Sequence, residues 1–413
     1  MLKKEVRDSL GDMLALMRGN FLVVTLCFSW VMSWMQIFNS YESVYIRSLG
    51  ASSFIIGTYF GVNGLIRAVA GIPGGYLCDT YGRRKMIVVG NYLSAFIWIL
   101  VALAPSWQFY LVAQFLLSVG TFWIVAEDTI LADSMTVERR GLGFSLFWTV
   151  TQLAGLASPY IGGLVFQRYH ADGLRWVLIL IGAADCVKAV VYTRFLKETL
   201  VSPGRKDSLG LRSIIDSFIE TFKTLRWMPR ALLGFCAMEV LFGFAWAMVG
   251  PFFTLYALDV ISLTPVEWGL LSTIETGVNL CLRLPGGRLA DRYSKRWLLL
   301  VLLAVQAPGF IFFIYSRSYL HLVLLWVAWA AVEALTEPAW DALRTDLTPK
   351  EQRGKVSSLL GIFGSSFGVF GSIAGGYLYD LDPALPFWVH VPLAILAIVV
   401  AFQVIHEPEK PAS

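Results

Sequence analysis

The sequence reads Gly74-Gly75-Tyr76-Leu77-Cys78-Asp79-Thr80-Tyr81-Gly82-Arg83-Arg84, and a similar string follows as Gly286-Gly287-Arg288-Leu289-Ala290-Asp291-Arg292-Tyr293-Ser294-Lys295-Arg296. The two copies lie 212 positions apart, the separation of Asp79 from Asp291. Each copy ends a long apolar stretch and combines a glycine pair, an aspartate and a basic cluster. We therefore expect the chain to consist of two homologous halves.

The composition is typical of a membrane protein. Hydrophobic residues make up 57% of the 413 residues and charged residues only 15%, whereas a soluble domain carries roughly 25% charged residues. About twelve apolar runs are long enough to cross the hydrocarbon core as helices, which takes roughly 20 residues. They lie near 20–46, 52–79, 86–105, 107–134, 141–168, 175–197, 231–258, 264–290, 297–316, 319–345, 354–380 and 386–405. The predicted fold class is an all-α polytopic membrane protein, with about twelve transmembrane helices in two bundles of six.

The distribution of charge predicts the topology. Most of the 33 lysine and arginine residues fall in the loops that an even number of spans places on one side of the membrane. Positively charged loops stay in the cytoplasm, so we expect cytoplasmic N- and C-termini and a multi-pass protein of the cytoplasmic membrane. The net charge of +4 then reflects topology and contact with the lipid bilayer, and we expect no nucleic-acid partner.

The repeat extends beyond the first string. At the same shift Gly57 corresponds to Gly269, and at a shift of 213 Asp133 corresponds to Asp346. Between the halves lies the least apolar part of the chain, in which apolar residues recur at helical spacing. The predicted domains are an N-terminal six-helix bundle over 1–198, a cytoplasmic linker with an amphipathic helix over 199–229, and a C-terminal six-helix bundle over 230–413.

The repeated string resembles the loop signature of the major facilitator superfamily, Gly-x-Leu-x-Asp-x-x-Gly-Arg-Arg. The signature positions hold Gly75, Leu77, Asp79, Gly82, Arg83 and Arg84, and the second copy departs from the signature at Ser294. The resemblance covers essentially the whole chain and implies two six-helix bundles around a central cavity. It implies that spans 1, 4, 7 and 10 line the cavity and that spans 2, 5, 8 and 11 form the seam between the bundles. It also implies a secondary transporter that works by alternating access.

We interpret the repeated string as a gating motif. Asp79 can accept hydrogen bonds from a helix N-terminus, where negative charge is favoured, and Arg83 can pair with Asp133 or Glu138 at a neighbouring helix end. These contacts are predicted to latch an inner gate. The alternative is that the string serves only membrane insertion and topology. The candidate gating residues are Gly75, Asp79, Gly82, Arg83, Arg84, Asp133, Gly287, Asp291, Arg292, Arg296 and Asp346.

Ionisable residues within the spans are costly and mark a pathway or a pair. A rise of ~1.5 Å per residue, counted from the basic loops, places Glu239, Arg283 and Glu337 at one level near the middle of the membrane. We predict that Arg283 is a fixed counter-charge for Glu337 and Glu239, which exchange a proton or a substrate charge. The alternative is a static salt bridge. The candidates for substrate or proton binding in the spans are Arg67, Glu127, Glu239, Glu275, Arg283, Glu333 and Glu337.

Two further predictions concern particular side chains in the spans. Lys188 follows Asp185 by three residues, which predicts a local pair on a lipid-facing helix with the lysine extended towards the headgroups. Aromatic walls suit amphipathic or cationic ligands, so tryptophans on the predicted cavity helices are candidates for substrate contact. The alternative for these residues is an interfacial aromatic belt. The candidates are Trp30, Trp34, Trp123 and Trp246.

The sequence favours a transporter over other classes of protein. It has no nucleotide-binding loop, its four histidines lack metal-ligand spacing, and no catalytic cluster converges, so we predict no enzyme activity, no cofactor and no metal. We predict a monomeric, proton-coupled secondary transporter of a small organic solute. Ser158-Pro159-x-x-Gly162-Gly163 is similar to part of a span-5 pattern associated with exchangers that export drugs against protons, which favours efflux. The alternatives are a proton-coupled importer of an organic anion or sugar, and a receptor or sensor that does not transport.

Overall fold

The computed structural model describes residues 16–200, 225 and 228–405, except for the side-chain surroundings at positions 71–73, 75, 76, 79, 122, 138, 351 and 358. The amphipathic helix predicted for the linker lies outside the described residues. Within the described part of the chain all regular structure is helical and no strand occurs. The predicted all-α class is therefore confirmed.

The helices follow the predicted apolar runs. In chain order they are α1 (Gly19–Asn39), α2 (Glu42–Ser48), α3 (Ser53–Tyr81), α4 (Arg83–Ala102), α5 (Trp107–Val119), α6 (Phe122–Asp133), α7 (Arg140–Gly155), α8 (Ser158–Phe195), α9 (Arg230–Val249), α10 (Phe253–Asp259), α11 (Pro265–Arg292), α12 (Lys295–Tyr315), α13 (Tyr319–Leu347), α14 (Arg353–Leu381) and α15 (Leu385–Val404). Short 3₁₀ turns precede α7, α10 and α14. Four predicted spans are thus each built from two helices, namely α1 with α2, α5 with α6, α7 with the start of α8, and α9 with α10.

Nine stretches among the described residues are long and apolar enough to cross a membrane. The predicted runs 141–168, 175–197 and 264–290 are not among them, although α7, α8 and α11 make all three helical. The long helix α8 contains a kink at His170, where φ is 51°, and α11 carries ionisable residues that lower its hydropathy. A multi-pass helical fold is confirmed, while the total of about twelve spans and the cytoplasmic position of the termini stay predictions.

The chain groups into two compact units. The first unit comprises Met1–Ser40 with Val69–Gly210, and the second comprises Tyr41–Ala68 with Leu211–Ser413. The second unit therefore includes α2 and the first half of α3, which precede the predicted midpoint of the chain. The two halves of the repeat remain a prediction from sequence.

Each unit has its own apolar core. In the first unit Ile87 of α4 and Ile130 of α6 are fully buried. In the second unit Phe235 of α9 and Leu303 of α12 are fully buried. Burial away from lipid gains little hydrophobic free energy, so close van der Waals packing is what holds such helices together.

A glycine allows α3 and α14 to pack closely within the second unit. A Cβ atom at Gly57 would lie 2.1 Å from the carbonyl oxygen of Ser372. Asp380, near the end of α14, accepts hydrogen bonds of 2.9 Å from the backbone N–H groups of Ser53 and Phe54. Because these are the first two residues of α3, the carboxylate satisfies free helix donors and interacts favourably with the helix dipole. The start of α3 is thus fixed to the end of α14.

Candidate functional site

In the first unit, the loop string joins α3 to α4 and fixes the start of α4. Gly82 has a φ of +92°, which glycine adopts without the strain that a Cβ atom would cause. Arg83 forms an ion pair with Asp133, the last residue of α6. The guanidinium of Arg84 donates a hydrogen bond of 2.6 Å to the carbonyl oxygen of Thr193 in α8. The string therefore ties α4 to the ends of α6 and α8.

The second copy of the string makes the corresponding contacts in the second unit. Lys295, the first residue of α12, forms an ion pair with Asp346 of α13. The guanidinium of Arg296 donates a hydrogen bond to the carbonyl oxygen of Phe402 in α15 and lies 5.3 Å from the centre of its ring. Lys295 lies 212 positions after Arg83, and Asp346 lies 213 positions after Asp133. The two ion pairs are therefore at equivalent positions of the repeat. Each string thus binds one carboxylate and one carbonyl near a helix end.

Among the described residues, the structure shows no contact that would support a gating role for several other candidates. Asp291 and Arg292 are exposed, and an added Cβ at Gly287 would meet open space. The side-chain surroundings of Gly75 and Asp79 lie outside the described part of the structure. Lys295 was not among the predicted gating residues, although its constant shift from Arg83 identifies it.

A cavity of about 130 Å³ lies in the second unit, between α9, α10, α11 and α13. Five aromatic side chains line it, namely Trp246, Phe253, Trp268, Trp326 and Trp329. Neighbouring rings pack edge to face; the ring centres of Trp268 and Trp326 are 5.4 Å apart at an interplanar angle of 72°. This geometry is favourable for aromatic pairs, and it gives the cavity a firmly packed apolar wall.

Two carboxyl groups, those of Glu275 and Glu333, provide the polar part of the same cavity. The indole N–H of Trp326 donates a hydrogen bond of 3.0 Å to Glu275 Oε2. Among the described residues, no lysine, arginine or histidine nitrogen lies within 4.0 Å of either carboxyl group. The described part of the chain also contains no group of three or more His, Cys, Asp or Glu side chains that could hold a metal ion. Neither glutamate is thus held in a close ion pair, although Arg283 acts on Glu333 from beyond 4.0 Å.

The predicted group of Arg283, Glu337 and Glu239 divides into two pairs. Arg283 Nη2 lies 3.5 Å from Glu337 Oε2, with both side chains about half exposed. Glu239 instead lies 3.5 Å from Arg344 Nη1 and accepts a hydrogen bond of 3.4 Å from the indole N–H of Trp340. The count along each helix predicts only the depth of a residue, whereas the direction of a side chain depends on its position around the helix.

Glu127 lies in a buried cluster of charges in the first unit. Its Oε1 atom is 2.9 Å from Nζ of Lys188, and the two side chains are 3% and 6% exposed. Asp185 accepts a hydrogen bond of 2.6 Å from the hydroxyl of Ser94. The prediction of a lipid-facing Lys188 is wrong, because the face of α8 that carries Lys188 and Asp185 packs against α1 and α4.

The remaining candidates vary widely in exposure. Arg67 is exposed on α3. Trp30 is 52% exposed, and its ring centre is 5.7 Å from that of Trp34. Trp123 is fully buried instead, and a Cβ atom at Gly90 would lie 2.4 Å from its ring. Trp123 therefore contributes to the packing of α4 against α6.

Sequence reasoning missed three tryptophans of the cavity, namely Trp268, Trp326 and Trp329, although a signal exists for two of them. Trp326, Trp329, Glu333 and Glu337 recur along α13 at intervals of three and four residues, which places them on one face of a helix. Reading the aromatic and acidic residues of that run together would have identified the wall.

Comparison with known proteins identifies the family. The model of the Major Facilitator Superfamily matches residues 21–242 and residues 235–413. The chain belongs to the major facilitator superfamily. It is accordingly a multi-pass membrane transporter and not an enzyme, as predicted.

Curated superfamily members with similar sequences include two drug-resistance proteins. The multi-drug resistance efflux pump PmrA of Streptococcus pneumoniae serotype 4 is 23% identical over 370 residues, which cover 86% of each chain. The multidrug resistance protein MdtG of Salmonella choleraesuis is 23% identical over 353 residues, which cover 84% of this chain and 83% of the relative.

Solved structures of superfamily members share the fold. The nucleoside transporter NupG has a TM-score of 0.73 at 13% identity, with 94% of this chain and 99% of that chain covered. A bacterial homologue of the human lysosomal transporter Spinster, inward-facing and occupied, has a TM-score of 0.75 at 15% identity, with 93% and 96% covered. At these identities the likeness concerns the fold alone.

Proposed function

We propose that this chain exports lipophilic organic cations across the cytoplasmic membrane by alternating access, in exchange for protons. The observation that carries the proposal is the cavity of the second unit, in which five aromatic side chains meet two carboxyl groups. Within the described residues neither carboxyl group has a basic nitrogen within 4.0 Å, and Arg283 acts on Glu333 only from a greater distance.

The lining of the cavity matches the chemistry of an aromatic cation. An aromatic face attracts a cation by ~0.5–2 kcal/mol, and the carboxylates of Glu275 and Glu333 supply full negative charges. Trp326 holds Glu275 in place through the hydrogen bond of 3.0 Å. The volume of about 130 Å³ is below the roughly 300–1,000 Å³ found for small-molecule sites, so the cavity must widen to admit a drug-sized cation. A sugar would leave hydroxyl groups unpaired against such walls, and an organic anion would be repelled.

Proton coupling follows from competition for the same two carboxyl groups. A carboxyl group that holds a proton offers no net charge to a cation, and a bound cation disfavours protonation. If the cavity opens to one side of the membrane at a time, protons bound from outside displace the cation there. Loss of these protons to the cytoplasm then restores the carboxylates for the next cation. Each cycle exchanges cation for proton without another energy source.

The direction and the gate are supported by other observations. The names of PmrA and MdtG describe an efflux pump and a multidrug resistance protein, and Ser158-Pro159-x-x-Gly162-Gly163 favours the same direction. The ion pairs Arg83–Asp133 and Lys295–Asp346 are the contacts that we assign to the inner gate. Asp79 keeps its proposed role as a latch.

Transport of ethidium into proteoliposomes tests the proposal. Ethidium is an aromatic cation with a permanent charge, so a pH gradient alone cannot trap it. With an acidic lumen, the full chain should accumulate ethidium as protons leave. Glu275→Gln and Glu333→Gln should each lower the initial rate about tenfold, which corresponds to a loss of ~1.4 kcal/mol of interaction. Asp172→Asn is the matched control, because the side chain of Asp172 is 81% exposed.

Three results would contradict the proposal. Unchanged rates in both glutamate variants would exclude the cavity as the site of the cation. Uptake of an organic anion or a sugar in place of ethidium would support an importer. Saturable binding of ethidium without flux at any pH gradient would support a receptor.

A further inference from the structure

Among the described residues, the interior of the first unit holds one more acidic than basic side chain. Glu127, Asp185 and Lys188 are 3%, 4% and 5% exposed. Glu127 and Lys188 form a close ion pair of 2.9 Å. Asp185 accepts hydrogen bonds from two uncharged donors, the hydroxyl of Ser94 and the side chain of Trp98, and no nitrogen of a basic side chain among the described residues lies within 4.0 Å of it.

The surroundings of the cluster offer little further compensation. The ammonium group of Lys188 lies 5.6 Å from the ring centre of Phe28 and 5.5 Å from that of Tyr192. From α4, Asn91 places its amide nitrogen 3.5 Å from Glu127 Oε1. The other titratable groups that face the cluster are Cys27 of α1 and Tyr192 of α8. On α6, the next residue after Glu127 is Asp128, which is exposed.

The net charge of Glu127, Asp185 and Lys188 determines whether the cluster binds an additional proton. With all three groups ionised, the cluster has a net charge of −1, and an uncompensated charge inside a packed, water-poor interior is strongly unfavourable. None of the facing groups supplies a second positive charge. One added proton makes the cluster neutral, and two carboxyl groups are present to carry it.

We propose that Glu127, Asp185 and Lys188 form a proton-binding site, in which one proton is held by the carboxyl groups and is exchanged with water. This deepens the proposed function by naming a second proton site, on residues other than the two glutamates of the aromatic cavity. Asp185 and Lys188 are one turn apart on α8, so loss of the proton from Asp185 draws Lys188 away from Glu127. The tie between α6 and α8 then weakens. Because α6 ends at Asp133, proton binding acts on the ion pair with Arg83.

Infrared spectroscopy of the full chain in lipid nanodiscs tests the site without a substrate. The carbonyl stretching band of protonated carboxyl groups is compared, in heavy water at neutral pH, between the protein and single variants. Asp185→Asn should remove the band area of one protonated carboxyl group, and so should Glu127→Gln, because Lys188 can then pair with Asp185. Lys188→Met should add one, because both acids then require a proton. Asp172→Asn, an exposed acid on the same helix, should change nothing.

Each variant decides the matter on its own if another fails to fold. Unchanged band areas in Asp185→Asn or in Glu127→Gln would overturn the proposal, since the cluster would then carry no proton beyond that on Lys188. The readout needs no ethidium. A failure of ethidium transport would therefore overturn the proposed function while leaving this measurement valid.

Discussion

The indole of Trp326 has two roles in the cavity of the second unit. Its ring packs against Trp268 at 5.4 Å between ring centres, and its N–H donates to the carboxyl group of Glu275. The first contact builds the apolar wall, and the second fixes the position of a negative charge. An aromatic ring without a donor would keep the wall and lose the fixed charge, so the two roles can be separated by one substitution.

Trp326→Phe is predicted to weaken the binding of ethidium about tenfold. A hydrogen bond to a charged group contributes ~1.5–3 kcal/mol, and ~1.4 kcal/mol corresponds to a factor of ten in Kd. The change is measured by fluorescence titration of the purified chain. Trp176→Phe is the control, because Trp176 is 67% exposed. Equal Kd values for the two variants would show that the hydrogen bond to Glu275 does not support cation binding.

At the scale of helices, two kinds of contact hold neighbours together, namely ion pairs at helix ends and close packing at glycines. Arg83 and Lys295 each pair with a carboxylate near the end of a neighbouring helix. Away from these ends, α3 packs against α14 at Gly57 so closely that the carbonyl of Ser372 occupies the position a Cβ atom would need. Ion pairs in contact with water contribute little free energy. The packing of α3 against α14 is therefore the more sensitive contact.

Gly57→Ala is predicted to separate α3 from α14. Overpacking against a backbone oxygen costs ~1–3 kcal/mol, which corresponds to a shift of roughly 5- to 150-fold in an equilibrium between packed and separated helices. Maleimide labelling of Ser372→Cys, in a background without the five native cysteines, measures that shift. Ser372 is 4% exposed, so labelling should be slow until the helices separate.

Gly64→Ala is the matched control on the same helix, because an added Cβ there meets no atom within 4 Å. Labelling as slow in Gly57→Ala as in Gly64→Ala would contradict the importance of this close contact.

At the scale of the whole molecule, the repeat predicts the contacts that both halves share. The Lys295–Asp346 pair follows from the Arg83–Asp133 pair by the shift of 212 to 213 positions. The cavity has no such counterpart, because the same shifts place Asn63 where the second half has Glu275 and Gly120 where it has Glu333. The ion pairs that both halves share are consistent with a gate. Glu275 and Glu333, which the first half lacks, are consistent with a substrate site.

The family and the helical fold could be predicted because their signals are local. A loop signature and a run of apolar residues can each be recognised without knowledge of the packing. Lys188 could not be placed in this way, since its neighbour in sequence is Asp185 while its ion-pair partner Glu127 lies on another helix. Glu239 was predicted to lie at the depth of Arg283 and to pair with it, but it pairs with Arg344 instead. Packing decides which face of a helix contacts which neighbouring helix. The order of residues along the chain does not reveal that choice.

The most direct measurement follows ethidium and protons together in one preparation of proteoliposomes. A pH indicator in the lumen reports protons while fluorescence reports ethidium. With an acidic lumen, ethidium entry should be accompanied by an added loss of protons, and Glu275→Gln should lower both rates by the same factor. Ethidium entry that neither depends on the pH gradient nor changes the lumenal pH would contradict proton exchange in the aromatic cavity.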